Sequence, residues 1–334
     1  MKTRTLFLAL ALTATAFADK APANATTWID PEVALKEDVD FAVQGEYRSQ
    51  GPTGQGAQVV ALGQGKFDVY ILEGGLPGDG WQPGQSRFRL SGERKGDAVV
   101  CSQENPSIHI SIQQGMLTFT DANGKRDKLS RVERKSPTLG VKPPAGAVVL
   151  FDGTSADAWD KGVVKDGYLQ ATNCMSKEHF SDYQLHVEFR TPYKPLARSQ
   201  QRGNSGIYMN GRWETQVLDS FGLEGMENEC GGCYSLSKPR LNMCLPPLSW
   251  QTYDVDFTAA TFDAAGKRVT WPRMTVRLNG VVVHDDLELK KDFTASAPLS
   301  KPLDTAAGPV FLQDHGNPVV YRNIWILPKK PAAK

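Results

Sequence analysis

The stretch "RGNSGIYMNGRWETQVLDS", Arg202 to Ser220, gathers side chains that could move protons and read hydroxyl groups. Read as a strand from Arg212, alternation places Arg212, Glu214, Gln216 and Leu218 on one face. Trp213, Thr215, Val217 and Asp219 fall on the other. The Trp213 and Val217 side is expected to meet a core, so Arg212, Glu214 and Gln216 would line an outer or concave surface. Ahead of them, Asn204-Ser205-Gly206 is a turn able to bring backbone close to a ligand. A second polar set lies in "GPVFLQDHGNPVVYRNIWILP", residues 308–328. Two apolar runs flank the turn signal Gly316-Asn317-Pro318, which predicts a hairpin. Gln313 and His315 share one face with Phe311. Asp314 lies on the other, placed to brace the turn or to hold His315 from behind. Arg322 or Asn323 on the return run could project toward the same cleft.

These residue types suit one kind of site. His and Glu are the usual general acid–base groups, Arg stabilises a developing oxyanion, and Asn and Gln orient hydroxyls. Glu214 and His315 are therefore the candidate base and acid, in either order. Other metal and redox readings are weaker. Cys230-x-x-Cys233 has only Cys244 nearby, whereas a structural zinc wants four ligands. A disulfide, Cys230 to Cys244, is the expectation for this loop. The five cysteines, Cys101, Cys174, Cys230, Cys233 and Cys244, are odd in number, so at least one thiol is free or bonds another chain. Asp285, Asp286 and Glu288, followed by Lys290-Lys291, read as a solvated strand end rather than a calcium site. The chain has no Gly-rich phosphate loop, no G-x-S-x-G elbow and no H-E-x-x-H.

The elements that must hold these residues are strands. The segments "YQLHVEFR" and "SWQTYDVDFTA" alternate apolar and polar residues, and "RMTVRLNGVVVHDD" reads as a hairpin with Asn279-Gly280 at its tip. Between residues 39 and 134, short strands are separated by Gly-rich turns, including "DANG", whose Asn123-Gly124 suits a type I′ turn. No segment sustains a helical period of apolar residues. The chain is therefore expected to be all-β: a sandwich or jelly roll at residues 146–330 after a small all-β domain at 39–136. The Pro- and Gly-rich segment 137–145 would be the linker, and 19–38 a poorly ordered lead-in. "MKTRTLFLALALTATAFADK" has the charged start, short apolar run and Ala16-Phe17-Ala18 site of a secretory signal peptide, residues 1–18. Its removal would take away Lys2 and Arg4 and shift the formal net charge from +1 to −1. Neither value calls for nucleic acid, and no run of residues is long enough to span a bilayer. A periplasmic or secreted location is expected.

The segments "VVLFDGTSADAW", "FSDYQLHVEFR", "GNSGIYMNGRWETQVLDS", "WQTYDVDF", "VRLNGVVVHDD" and "GPVFLQDHGNPVVYRNIWI" occur in the order of the 3-keto-disaccharide hydrolase domain family. The resemblance covers about residues 146–328. It implies a jelly roll similar to concanavalin A-like lectins and glucanases, acting on sugars oxidised at C3. The residues matching its motifs are Asn204, Ser205 and Gly206, then Arg212, Glu214, Gln216 and Asp219. Gln313, His315, Gly316, Arg322 and Asn323 complete the set. Cys233 departs from the family pattern, which points to it as the unpaired thiol. Residues 39–134 resemble a small β domain placed before this one in exported bacterial proteins, with no role or partner assigned.

The resemblance implies a mechanism. A ketone at C3 acidifies the hydrogen on C2. Its removal gives an enolate that expels the substituent at C1, and water then adds back. Glu214 or His315 would be base and acid. Arg212 would stabilise the enolate. No cofactor is required, although a divalent metal could take the role of Arg212. Asn204, Gln216, Gln313, Asp219 and Arg322 would bind the oligosaccharide or glycoside substrate. Two rivals stand beside this reading: a lectin-like binding module, and an ordinary glycosidase with two carboxylates. In the second, Glu188 would partner Glu214.

Overall fold

A computed structural model describes residues 25–50 and 54–329. The expected signal peptide lies outside the described residues.

The first half of the chain closes into a barrel. Eight antiparallel strands follow one another: Gly45–Ser49, Gly56–Gly63, Lys66–Leu72, Arg87–Lys95, Ala98–Glu104, Ser107–Gln113, Met116–Thr120 and Arg126–Val132. The last pairs with the first, so no sheet edge is left exposed. Alternation fills the interior with Val59, Ala61, Phe67, Val69, Ile110, Ile112 and Leu117. Residues 31–37, expected within an unordered lead-in, instead form a helix, Pro31–Glu37. Asp30 caps it by accepting from the backbone N–H of Glu32 and Val33, and Pro31 stands in the first turn, where its missing N–H costs nothing. Ala34 packs it into the barrel's core cluster. The "DANG" turn also differs from expectation. Five residues separate the paired Thr120 and Arg126, the Asp121 carboxylate accepts from the N–H of Asn123 and Lys125, and Gly124 takes a positive φ of 78° while Asn123 does not.

The second half is a two-sheet jelly-roll sandwich. One sheet has eight strands, ordered Val164–Lys165, Tyr168–Gln170, Val320–Pro328, Tyr183–Arg190, Gln251–Thr258, Arg273–Leu278 and Val281–Glu288, with Val148–Phe151 also paired to Val320–Pro328. The other has five: Trp159–Asp160, Cys174–Ser176, Phe311–Leu312, Ser205–Met209 and Trp213–Val217. Tyr183, Leu185, Val187 and Phe189 face Ile207, Met209, Trp213 and Val217 across the core. Tyr183 and Phe189 stack on Phe257 and Tyr253, each pair with centroids 5.1 Å apart. The Arg273–Leu278 and Val281–Glu288 hairpin forms as expected. Asn279 and Gly280 both take positive φ, 52° and 82°, as a two-residue type I′ turn requires.

The C-terminal hairpin does not form. Phe311–Leu312 joins the five-stranded sheet beside Ser205–Met209, while Val320–Pro328 pairs with Tyr183–Arg190 in the other sheet. The Gln313–Val319 connection crosses from one sheet to the other. This crossing decides which polar residues can meet.

Barrel and sandwich share a core. Val60, Tyr70 and Leu72 from outward barrel positions belong to the sandwich's buried cluster, and Tyr193 and Leu248 belong to the barrel's.

Candidate active site

Glu214 sits on the outer face of Trp213–Val217, the edge strand of the five-stranded sheet. Trp213 and Val217 point inward, so Glu214 and Gln216 point out, yet both are buried, with 2% and 1% of their surface exposed. Two irregular segments cover them. Tyr234 N–H donates to the Glu214 carbonyl, Gly232 accepts from Gln216 N–H, and Thr294 Oγ1 accepts from Glu214 N–H. From behind, core tyrosines pin the same strands. Tyr253 donates its hydroxyl to the Gln216 carbonyl at 2.7 Å, and the Tyr321 and Ser205 hydroxyls share a bond of 2.6 Å.

The carboxyl itself lies across Gly206. A Cβ at that position would stand 2.2 Å from Glu214 Oε1, so only glycine leaves it room. Tyr208 donates to Glu214 Oε2 at 2.7 Å and accepts from Gln313 Nε2 at 3.1 Å. Burial pushes the Glu214 carboxyl from 4.5 up to about 8, with the Tyr208 hydrogen bond pulling the other way. Burial and the neighbouring Glu214 likewise raise the Tyr208 hydroxyl.

Beside this cluster lies a web of amides. Gln200 Oε1 accepts from Asn204 Nδ2 at 2.8 Å and from Gln216 Nε2 at 3.2 Å, and Gln200 donates to the Asn228 carbonyl. Asn204 Oδ1 and Gln216 Oε1 remain buried with no partner. Two unpaired buried acceptors are costly unless a donor reaches them. Sugar hydroxyls are such donors. Asn204, Gly206 and Tyr208 alternate along one strand, and Gln216 and Glu214 pair with Gly206 and Tyr208 on the next. Gln313 follows the third strand, with its N–H on the Gly206 carbonyl. Three adjacent strands thus assemble Asn204, Glu214, Gln216 and Gln313. Tyr208 was missed from the sequence, because Asn204-Ser205-Gly206 was read as a turn whereas Ser205–Met209 is a strand that carries Gly206 and Tyr208 on one face. Gln200, in the short 3-10 turn Ser199–Gln201, carries no sequence signal.

The other expected residues are placed differently. His315 is exposed in the crossing turn, and its imidazole makes no bond to the cluster. Asn317 fastens that turn: its Nδ2 donates to the His315 carbonyl, and its Oδ1 accepts from Lys194 Nζ and Gly203 N–H. Asp314 accepts from Gly316 N–H and braces the turn. Arg212 is not free to hold an enolate. Its guanidinium donates to the carbonyls of Leu299 and Lys301 and lies 3.6 Å from Asp304. Asp219 is committed to Arg202, at 2.6 Å. Arg322 belongs to the eight-stranded sheet, where it pairs with Glu188 at 2.6 Å. The sheet crossing carries it to the opposite outer face of the sandwich.

That opposite face has its own polar cluster. Glu188 accepts from Gly140 N–H, Asn323 Nδ2 and Arg322 Nε, with His186 Nε2 at 3.6 Å. Burial alone would raise its carboxyl, but hydrogen bonds from His186, Asn323, Gly140 and Arg322 hold it down to about 2. Asn323 Nδ2 also donates to the Val141 carbonyl, and Thr138 Oγ1 donates to Asp254. These bonds strap the expected linker to the sheet. Beside it lies a cleft of about 590 Å³ lined by Lys142, Asp152, Glu188, Arg322 and Asn323.

All five cysteines are free and buried. The expected Cys230–Cys244 disulfide is not formed: Cys230 Sγ lies 3.5 Å from the Tyr253 hydroxyl, and Cys244 Sγ donates to the Leu218 carbonyl at 3.4 Å. Among the described residues, no three His, Cys, Asp or Glu side chains are grouped to hold a metal ion. No helix among them is long and apolar enough to cross a membrane.

Comparison with known proteins agrees with this architecture. A crystal structure from Parabacteroides distasonis, described as a candidate glycosyl hydrolase, is 34% identical. It superposes with a TM-score of 0.52 over 56% of this chain and 86% of its own. A second so-described structure from that organism is 17% identical, with a TM-score of 0.41 over 55% of this chain and 95% of that one. None of the curated proteins compared matches the chain. The sequence profile of the 3-keto-alpha-glucoside-1,2-lyase-like domain matches residues 146–327. These residues span the whole sandwich, and through them the chain belongs to that family.

Proposed function

We propose that the protein cleaves glycosides already oxidised to a ketone at C3, and that Glu214 is the base. The observation that carries this reading is the Glu214 carboxyl, buried across Gly206 and raised to about 8. A C–H beside a ketone is a weak acid, and an ordinary carboxylate is a poor base for it. Desolvation makes this one stronger by roughly three orders of magnitude in proton affinity.

Glu214 in its ionised form, whose share grows as pH rises toward about 8, takes the hydrogen on C2 as a proton, and the electron pair passes into a C2–C3 enolate. The pair then returns to form a C1–C2 double bond as the C1–oxygen bond breaks. The leaving oxygen takes a proton, and His315, on the exposed turn beside the Asn204 end, is the group we assign to supply it. Water adds at C1 and a proton returns to C2, so the sum is hydrolysis. With Arg212 committed to backbone carbonyls and the Tyr208 hydroxyl to Glu214, the second N–H of the Gln313 amide is the neutral donor we assign to the oxyanion. Asn204 Oδ1 and Gln216 Oε1 accept from the sugar hydroxyls.

A two-carboxylate glycosidase is less well supported. Glu188 is on the far face of the sandwich, and Asp219 is committed to Arg202. Incubation with a disaccharide and its C3-oxidised form separates the readings. Release from the oxidised sugar alone supports the proposal, and release from both points to a glycosidase. Binding without release points to a lectin. Glu214→Gln and His315→Ala that both retain full turnover would overturn the assignment.

A further inference from the structure

The barrel has no assigned role, and one set of its contacts with the sandwich falls on the segment that enters the site. The strand Gly56–Gly63 carries a β-bulge at Ala61–Gly63. There the Ala61 carbonyl accepts from both terminal nitrogens of Arg202 at 3.3 Å, and the Leu62 carbonyl accepts from Arg198 Nη2 at 3.0 Å. Gly63, at φ +83°, lies under Leu196, and a Cβ there would come within 2.5 Å of Leu196 Cδ2. Three sandwich residues, Leu196, Arg198 and Arg202, are thereby fixed on one edge of the barrel. Between the two arginines stands Gln200, the hub of the amide web.

Arg202 reaches the site by two further routes. Its guanidinium pairs with Asp219 just beyond the Glu214 strand, and its carbonyl accepts from Asp219 N–H. The next residue, Gly203, donates to Asn317, which holds the His315 turn. Asn204 follows directly. A single buried side chain, 6% exposed, thus ties the barrel to both ends of the cluster.

We propose that the barrel is a positioning part of the enzyme. Its bulged edge sets the 194–204 segment, and with it Gln200 and Asn204, in the geometry that receives the sugar. This rests on the reading of the site given above. Arg202 is a positioning residue, acting through Gln200, Asn204 and the Asn317 turn.

The test uses the full chain with Gly63→Ala, a change in the barrel alone, and with Arg202→Lys, which keeps the charge beside Asp219. Hydrogen exchange is followed without ligand, and turnover with a C3-oxidised disaccharide. Exchange in 194–204 should quicken by about ten-fold while the Ser107–Gln113 strand is unchanged. KM should rise by about ten-fold, with kcat within a few-fold and the apparent pKa of the pH profile unmoved, because Glu214 is untouched. Unchanged exchange in 194–204, or quickened exchange with unchanged KM, would overturn the proposal. If the wild-type protein turns over no C3-oxidised disaccharide, the substrate assignment fails, and the exchange result alone decides whether the barrel sets this segment.

Discussion

Glu214 can lie flat across its neighbouring strand because Gly206 leaves the space a methyl group would fill. Gly206→Ala should therefore displace the carboxyl and lower kcat by about 100-fold, with the fold retained as judged by circular dichroism. The same burial that makes Glu214 a stronger base makes it a liability to folding. The folded protein holds its proton up to about pH 8, whereas the unfolded chain releases it near 4.5. Stability from this group therefore falls as pH rises between those values. Glu214→Gln keeps an acceptor for Tyr208 and removes the buried charge. It should lower kcat by about 10²–10⁴ and raise Tm by about 2–4 °C at pH 8, with little gain at pH 4. Thermal melts at the two pH values check this. Glu214 and Gln216 could be placed on one face by strand alternation, but their meeting with Asn204 and Gln313 depends on pairing among three strands, one of them remote in sequence. The places of Arg212, Asp219 and Arg322 were not legible, because their partners Lys301, Arg202 and Glu188 come from remote segments that no local pattern reveals.

Most strands were legible as elements, since Tyr183–Arg190, Gln251–Thr258 and the Asn279-Gly280 hairpin follow period-two patterning and turn chemistry. The crossing at Gln313–Val319 was not. A turn between two apolar runs looks the same whether the runs pair with each other or enter facing sheets. The linker was legible in composition and misleading in behaviour. Its prolines and glycines suggest a loose tether, but Gly140 and Val141 are bonded to Glu188 and Asn323. Glu188→Ala would leave His186, Arg322 and the Gly140 N–H without their shared acceptor. It should cost about 3 kcal/mol, read by urea unfolding, and quicken hydrogen exchange at residues 138–142. Unchanged exchange there would show that the strap does not depend on Glu188.

For the whole molecule, two β units are visible in the sequence, but their union is not. Val60, Tyr70 and Leu72 read as ordinary strand residues, and only the structure shows them buried in the sandwich core. With that shared core and the Arg202 tie, barrel and sandwich should unfold together. Calorimetry of the full chain should give one transition whose calorimetric and van't Hoff enthalpies agree. Two separated transitions would show that the barrel is merely attached.

The central claim is that cleavage proceeds by loss of the C2 hydrogen to Glu214. Turnover of a C3-oxidised disaccharide in D₂O tests it most directly, with the C2 position of the released keto-sugar read by mass spectrometry or NMR against an enzyme-free control. The account predicts one deuterium at C2 in the hydrated product, formed by wild-type protein and lost with Glu214→Gln. Rapid release of a keto-sugar that retains its original C2 hydrogen would contradict it.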